Sequence, residues 1–276
     1  MKKDIKLIAL DLDGTLLSSQ KELTERNRRA LERAAERGIH IVPSTGRLAR
    51  AVPEFIAELP FVRYMICVNG SHVYDKADDA LIYRAELPYL KMHELMVRFD
   101  DFPCIYDCYI GGRGWMQADM YDRAEEFAEN DYILELIRNT RTPVPNLKEF
   151  VLEQKQDAQK VQMFFRTIAE RDAYKTMLRA ELPELVVTSS YGANIEINCA
   201  EATKGEALRA LCKHIGIDIS ETVAFGDGDN DSAMLRAAGI GVAMGNADQN
   251  VKDIADAVTA TCDEDGVAQF IEEYIL

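Results

Sequence analysis

Leu10-Asp11-Leu12-Asp13-Gly14-Thr15 closes an apolar run, Ile5 to Leu10, that reads as a buried strand. Two carboxylates two residues apart project from one face of an extended chain, roughly 6–7 Å from each other. A gap of that size between two acids can take a phosphoryl group or a cation. Asp13-Gly14 is also a strong turn signal, and a plain turn would account for both of those residues. It would leave Asp11 without a reason, so the two readings stand side by side until the rest of the chain is read.

Outward from this stretch, Leu16 to Leu23 reads as a short hairpin or flap. Thr24 caps a helix with the buried stripe Ala30, Leu31, Ala34 and Ala35, and Gly38 stops it. A second apolar strand, Ile39 to Val42, runs into Pro43-Ser44-Thr45-Gly46-Arg47. After a helix over about Val52 to Leu59, a third strand, Tyr64 to Val68, ends at Asn69-Gly70. Strands with almost no polar residue, alternating with helices, predict a parallel sheet covered on both faces. Polar residues gather where each strand ends, at Asp11, Thr45 and Asn69, the edge where ligands bind in open α/β sheets.

From Val73 onward the rhythm changes to hairpins and helices. Cys104 to Ile110 and Trp115 to Ala118 flank a glycine-rich turn, and Tyr121 to Asn139 reads as one helix. Thr142-Pro143-Val144-Pro145 reads as a rigid connector, and Asn146 caps the next helix. Lys160 to Phe165, Leu185 to Ser190 and Asn194 to Cys199 read as strands. This pattern predicts an α+β module. The first rhythm returns at Thr203-Lys204-Gly205-Glu206, which matches a capping box. A strand from Thr222 to Phe225 then enters Gly226-Asp227-Gly228-Asp229-Asn230-Asp231, and strands at Gly241 to Met244 and near Ala257 to Thr259 follow. The expected organisation is a parallel-sheet core of residues 1–87 and 192–276 split by an inserted domain of residues 88–191, with extended crossings near Tyr83 to Pro88 and Tyr191 to Cys199.

The acidic loop narrows the chemistry. Its aspartates could open an EF-hand, but that loop requires Gly at its sixth position and Glu at its twelfth. Ser232 and Ala238 stand there. Carboxylates held this close repel one another unless a cation neutralises them, and two carboxylates completed by water and phosphate oxygens suit Mg²⁺ better than Ca²⁺ or Zn²⁺. Lys204 opens a helix, where the backbone donors and dipole favour an anion. A lysine there either faces solvent or shares that anion.

Bulk properties bound the partners, and an anionic substrate would need local cations to overcome the overall field. The formal net charge of the 276-residue chain is −15, which argues against general nucleic-acid binding. No uninterrupted apolar stretch reaches the roughly 18 residues of a membrane span. The start, Met1-Lys2-Lys3-Asp4, reads as leading straight into a strand rather than as a signal peptide, so a cytoplasmic protein is expected. The six cysteines show no CxxC pair, and Cys104 and Cys108 within one strand would lie about 13 Å apart. They read as small buried hydrophobes. The four histidines show no ligand spacing.

Four stretches in this order resemble the motifs of the haloacid dehalogenase-like hydrolase superfamily, and most of all its Cof-type phosphatase branch: Asp11-Leu12-Asp13-Gly14-Thr15, Ser44-Thr45-Gly46-Arg47, Thr203-Lys204-Gly205 and Gly226 to Asp231. Val68-Asn69-Gly70 and Gly239 to Ala247 are similar to the branch as well, while Ser44 stands where many relatives carry Ala. The resemblance implies a Rossmann-like parallel-sheet core with an inserted α+β cap, and a Mg²⁺-dependent phosphatase of small phosphorylated metabolites such as sugar phosphates or phosphorylated cofactors. It implies Asp11 as nucleophile and Asp13 as general acid and base. It implies Mg²⁺ held by Asp11, the carbonyl of Asp13, and Asp227, with Asp231 supporting, and it assigns Thr45, Gly46, Arg47, Asn69, Lys204 and Asn230 to phosphate and substrate. A phosphomutase of the same superfamily, or a regulatory binding protein without catalysis, are the competing expectations.

Overall fold

Leu7–Leu10 is buried at every residue, so it must be covered on both faces. The computed structural model describes residues 4–190 and 192–276. The N-terminal lead at residues 1–3 and the expected boundary at Tyr191 lie outside the described residues. The chain divides into two compact units, Met1–Arg84 with Glu201–Leu276, and Ala85–Ala200.

In the first unit, five strands form a parallel sheet in the spatial order Ala257–Val258, Ile240–Ala243, Thr222–Gly226, Leu7–Leu10, His40–Pro43. Alternate residues serve opposite faces. Leu7, Ala9, Val42 and Ala224 pack with Ala207, Leu208 and Leu211 of the helix Lys204–Ile215 and with Met234 and Leu235 of the helix Ser232–Ala237. Phe225 turns the other way and meets Phe270 edge-on at 5.4 Å, in the helix Gly266–Phe270. The helix Glu25–Glu36 begins where the Thr24 side chain accepts the amide of Asn27, and Lys204–Ile215 begins where Thr203 accepts that of Glu206.

The third strand departs from expectation. Tyr64–Cys67 leads a separate antiparallel sheet with His72–Asp75 and Ala80–Arg84, and meets the strand-end residue Ser44 through a parallel bridge to Ile66. The helix before it shrinks to Glu54–Ala57 because Pro53 occupies its N-cap and Pro60 follows closely.

The second unit is a six-stranded sheet in the order Leu185–Thr188, Asn194–Cys199, Ala158–Phe165, Cys104–Ile110, Arg113–Gln117, Arg141–Val144. All neighbours are antiparallel except the last pair. That last strand was expected as a connector. Pro143 is tolerated because the strand lies on the sheet's edge, where a missing N–H costs no ladder bond. The single helix expected over Tyr121 to Asn139 is broken into Ala118–Asp122 and Asp131–Thr140, since Asn130 accepts the amide of Ile133 and caps a new helix. Both boundaries of the unit lie outside 88–191, because Asn194–Cys199 is ladder-bonded on both sides within this sheet and is not a loose crossing. All six cysteines are free thiols. No helix among the described residues is long and apolar enough to cross a membrane.

Candidate active site

The parallel strands of the first unit deliver their polar followers to one edge. Asp11 leaves Leu7–Leu10 with its amide donated to the Phe225 carbonyl at 3.0 Å, and Asp227 leaves Thr222–Gly226 next door. Lys204 opens its helix fully buried, and its ammonium donates to Asp11 Oδ1 and to Asp231 Oδ1, each at 2.6 Å. The other oxygen of Asp231 accepts the amides of Asp227 and Gly228, both at 3.0 Å. Asp231 thus ties the acidic loop shut while sharing the lysine with Asp11. Thr15 donates its hydroxyl to Asp227 Oδ1 at 2.8 Å.

Gly14 is required where these elements meet. Its φ is +86°, and a Cβ there would fall 2.4 Å from Asp227 Oδ2, so no other residue lets Asp227 approach so closely. Asn246 donates to the Gly14 carbonyl at 2.8 Å and steadies this turn from the far end of the chain.

Burial and mutual repulsion govern the charges. Burial, and then the neighbouring carboxylates of Asp231, Asp227 and Asp13, push the Asp11 carboxyl well above its ordinary value against the pull of Lys204. Burial and the repulsion of Asp231 push Asp227 up to about 7. Burial alone would favour loss of the Lys204 proton, but Asp11 and Asp231 outweigh it and hold the ammonium above its ordinary value. One ammonium does not neutralise this cluster. Oxygens of Asp11, Asp227 and Asp231 lie within 4.8 Å of one another. A crowd of hard carboxylate oxygens short of positive charge fits a divalent cation.

Asp13 belongs to a second constellation. Arg47 grips it with two parallel bonds, Nε to Oδ2 at 2.8 Å and Nη2 to Oδ1 at 2.7 Å, and Lys21 Nζ lies 2.9 Å from Oδ1. Burial would raise its proton affinity, yet the two cations more than compensate and hold the carboxyl below its ordinary value. The general acid that the resemblance implies at this position would require the reverse, or help from substrate.

The remaining expected residues line the same edge. Thr45 is buried, donates its amide to Ile66 O at 2.9 Å, and accepts the amide of Arg47 on its hydroxyl at 3.2 Å. Gly46 sits between them in the same turn. Asn230 donates its amide group to Asn69 Oδ1 at 3.1 Å. Val68, Asn69 and Gly70 are all left-handed, at φ +50°, +57° and +98°. For a β-branched valine this is strained backbone of the kind found at functional sites. The bonds Val68 N to Arg47 O and Asn69 N to Thr45 O hold it in place. Lys21, Thr15 and Asn246 were not singled out as site residues from sequence. Thr15 and Asn246 fell inside stretches already noted, whereas nothing in the sequence distinguishes Lys21 from a solvated turn lysine.

Comparison with known proteins agrees with this geometry. The profile of the haloacid dehalogenase-like hydrolases matches residues 8–271. Phosphatase YwpJ of Bacillus subtilis is 30% identical over 298 residues, covering 98% of this chain and 100% of the relative. The 5-amino-6-(5-phospho-D-ribitylamino)uracil phosphatase YcsE of the same organism is 31% identical, covering 99% of this chain and 97% of the relative. The solved structure of a haloacid dehalogenase-like hydrolase from B. subtilis superposes with a TM-score of 0.83 at 30% identity, over 99% of this chain and 100% of that one. The chain belongs to the haloacid dehalogenase-like hydrolase family and stands among its phosphatases, enzymes that hydrolyse phosphoric monoesters.

Proposed function

We propose that this protein is a Mg²⁺-dependent phosphatase of small phosphorylated metabolites, and that it passes the phosphoryl group through Asp11. The observation that carries this reading is the meeting of Lys204, Asp11 and Asp231 at 2.6 Å contacts beside Asp227. An aspartate held at a strand end by a buried ammonium is an oriented nucleophile, not a solvated turn residue.

In the first step a carboxylate oxygen of Asp11 bonds to phosphorus as the ester P–O bond breaks. The electron pair goes to the leaving oxygen, which takes a proton from Asp13 and departs as an alcohol. In the second step water gives its proton to Asp13 as its oxygen bonds to phosphorus. The acyl phosphate P–O bond then breaks, which restores the Asp11 carboxylate and frees inorganic phosphate. Thr45 and the Gly46 turn receive phosphate oxygens on one side and Lys204 on the other, where placed charge does most of the catalytic work. Asn69, Asn230 and Arg47 lie along the same edge to meet the rest of the substrate. Asp11, Asp227 and the main-chain carbonyl of Asp13 would hold the metal, with Asp231 supporting through Lys204. When bound, it supplies positive charge against the phosphoryl oxygens.

Binding an anion on a chain of net charge −15 requires such local cations, since the overall field repels the substrate. The relative named above acts on a phosphorylated ribitylamino-uracil, which supports a small phosphorylated metabolite as the substrate class. The test is a panel of sugar phosphates, phosphorylated cofactors and that uracil compound, incubated with Mg²⁺ and read by phosphate release. Release that is lost in Asp11→Asn is expected. Isomerisation of a sugar phosphate without release would instead favour a mutase, and silence across the panel from folded protein would sink the reading.

A further inference from the structure

Three of the roughly four acceptor positions of the Asp13 carboxylate are taken before any substrate arrives, two of them on Oδ1. Its Oδ1 receives Arg47 Nη2 at 2.7 Å and Lys21 Nζ at 2.9 Å, and its Oδ2 receives Arg47 Nε at 2.8 Å. A general acid must bring a carboxyl oxygen within about 2.6–3.2 Å of the leaving oxygen. An oxygen already accepting two cationic donors has no room to donate there.

The two cations differ in how firmly they are held. Arg47 is anchored at several points: its Nη1 donates to the Ala51 carbonyl at 3.3 Å, its amide to Thr45 Oγ1, and its side chain is 16% exposed. Lys21 reaches Asp13 from a different loop, and its side chain is 37% exposed. That loop is closed on itself by Ser18 N to Glu22 O at 3.0 Å and Lys21 N to Ser18 O at 2.9 Å, and is pinned by Ser19 N to Asp263 Oδ1 at 2.7 Å. Lys21 itself is left-handed, with φ +64°, a conformation that a non-glycine residue adopts only at a cost. The strained turn directs a lysine back over the acid rather than out to water.

We propose that Lys21 is a positioning residue for the acid: together with Arg47 it parks Asp13, and it is the contact that exchanges when the substrate arrives. The substrate's own anionic oxygens draw the ammonium away, Oδ1 keeps only Arg47 Nη2, and the leaving oxygen takes the position the ammonium held. Acid catalysis is thereby tied to the presence of substrate. This rests on the reading of Asp13 as the acid.

The test compares leaving groups. The p-nitrophenolate ion departs without protonation, whereas an alkoxide does not, so the ratio of kcat/KM for β-glycerophosphate to that for p-nitrophenyl phosphate reads the acid step. In Lys21→Met, which keeps the stem and removes the charge, this ratio should rise at least threefold, and Lys21→Arg should return it to the wild-type value. An unchanged ratio makes Lys21 a solvated lysine and overturns the proposal. A fall in both substrates at constant ratio, as loss of binding or folding would give, overturns it too, and so does a falling ratio. Asp13→Asn on the same pair separates the two levels of argument. If it leaves the glycerophosphate rate intact, Asp13 is not the acid and the reading beneath fails. If it abolishes that rate while Lys21→Met leaves the ratio alone, only the role of Lys21 fails.

Discussion

The ammonium of Lys204 lies 2.6 Å from the carboxylate of Asp11, although 193 positions separate them in the chain. The same ammonium lies 2.6 Å from Asp231, so one buried charge fastens the first strand, the third-motif helix and the acidic loop. Removing it leaves two carboxylates facing each other in the interior. Breaking a buried pair from one side costs about 3–5 kcal/mol. Lys204→Met should therefore lower the urea midpoint markedly as well as abolish phosphatase activity. A variant that is inactive but as stable as the wild type would show that the lysine serves chemistry alone.

Asp11→Asn separates the two roles from the other side. It keeps the shape and an oxygen for Lys204 but removes one carboxylate from a crowded cluster. Turnover should fall by at least about 10³-fold, as expected for loss of a nucleophile, and no acyl phosphate should be trapped on rapid quenching. Thermal stability of the metal-free protein should be equal or higher, because the repulsion that raises Asp11 and Asp227 is relieved. Near-wild-type turnover would sink the covalent route.

The metal should reveal itself in stability as a function of pH. Asp227 is pushed up to about 7 in the folded chain, above an ordinary carboxyl value near about 3.9. A raised acid contributes stability that is fully present below the unfolded value and is lost as pH rises through the folded one. The metal-free protein should thus weaken between about pH 4 and 7, and a cation should restore what deprotonation removes. Mg²⁺ at about 100 times its Kd adds about 2.7 kcal/mol, or about 5–10 °C in Tm at this size. Melting curves should show that rise at about pH 8 and little of it at about pH 5, where protons compete for the same oxygens. EDTA should remove it. A Tm that ignores Mg²⁺ at both pH values would argue against the site.

Gly70 tests the strained turn. Its φ is +98°, and a Cβ there would lie 2.1 Å from the Thr203 carbonyl, the residue that caps the Lys204 helix. Gly70→Ala must displace either Asn69 or the start of that helix. We expect a loss of more than about 1 kcal/mol together with a fall in kcat, since Lys204 moves with its cap. A stable, fully active Gly70→Ala would mean that the turn relaxes without touching the site.

The sequence made the site legible where its signals are local. Asp11, Asp13, Thr45 and Asp227 follow apolar strands directly, so the period of burial alone places them on one edge. The spacing of Thr203 and Glu206 fixes the cap that holds Lys204 in place. What escaped were contacts and pairings set by distant chain. Pro143 argues against a strand until a free sheet edge is available to receive it. Asn130 looks like any helix residue until it accepts the amide of Ile133 and starts a new helix. Asn194–Cys199 looks like a crossing until its partners on both sides are known. Lys21 carries no sequence signal at all, because its meaning lies in a left-handed turn that aims it at Asp13.

The last prediction concerns choice among substrates. On the proposed reading, Asp11, Asp227, Lys204 and Thr45 offer chemistry common to every phosphomonoester, so they cannot rank metabolites. Discrimination must come from groups that touch the leaving alcohol, and the core edge offers few beyond Asn69 and Arg47, the latter already engaged by Asp13. The Ala85–Ala200 unit carries its own sheet and its own helices and is joined to the core chain at only two points. We therefore expect it to act as a cap that selects and that closes out water during turnover. Exchanging residues 85–200 for the corresponding unit of a relative, with every core aspartate kept, should change the order of preferred metabolites. Hydrolysis of p-nitrophenyl phosphate, which requires only the core chemistry, should survive at least in part. A chimera that folds, cleaves the generic ester and keeps the original ranking would place selection in the core edge, with Asn69 and Arg47 as the residues to vary next.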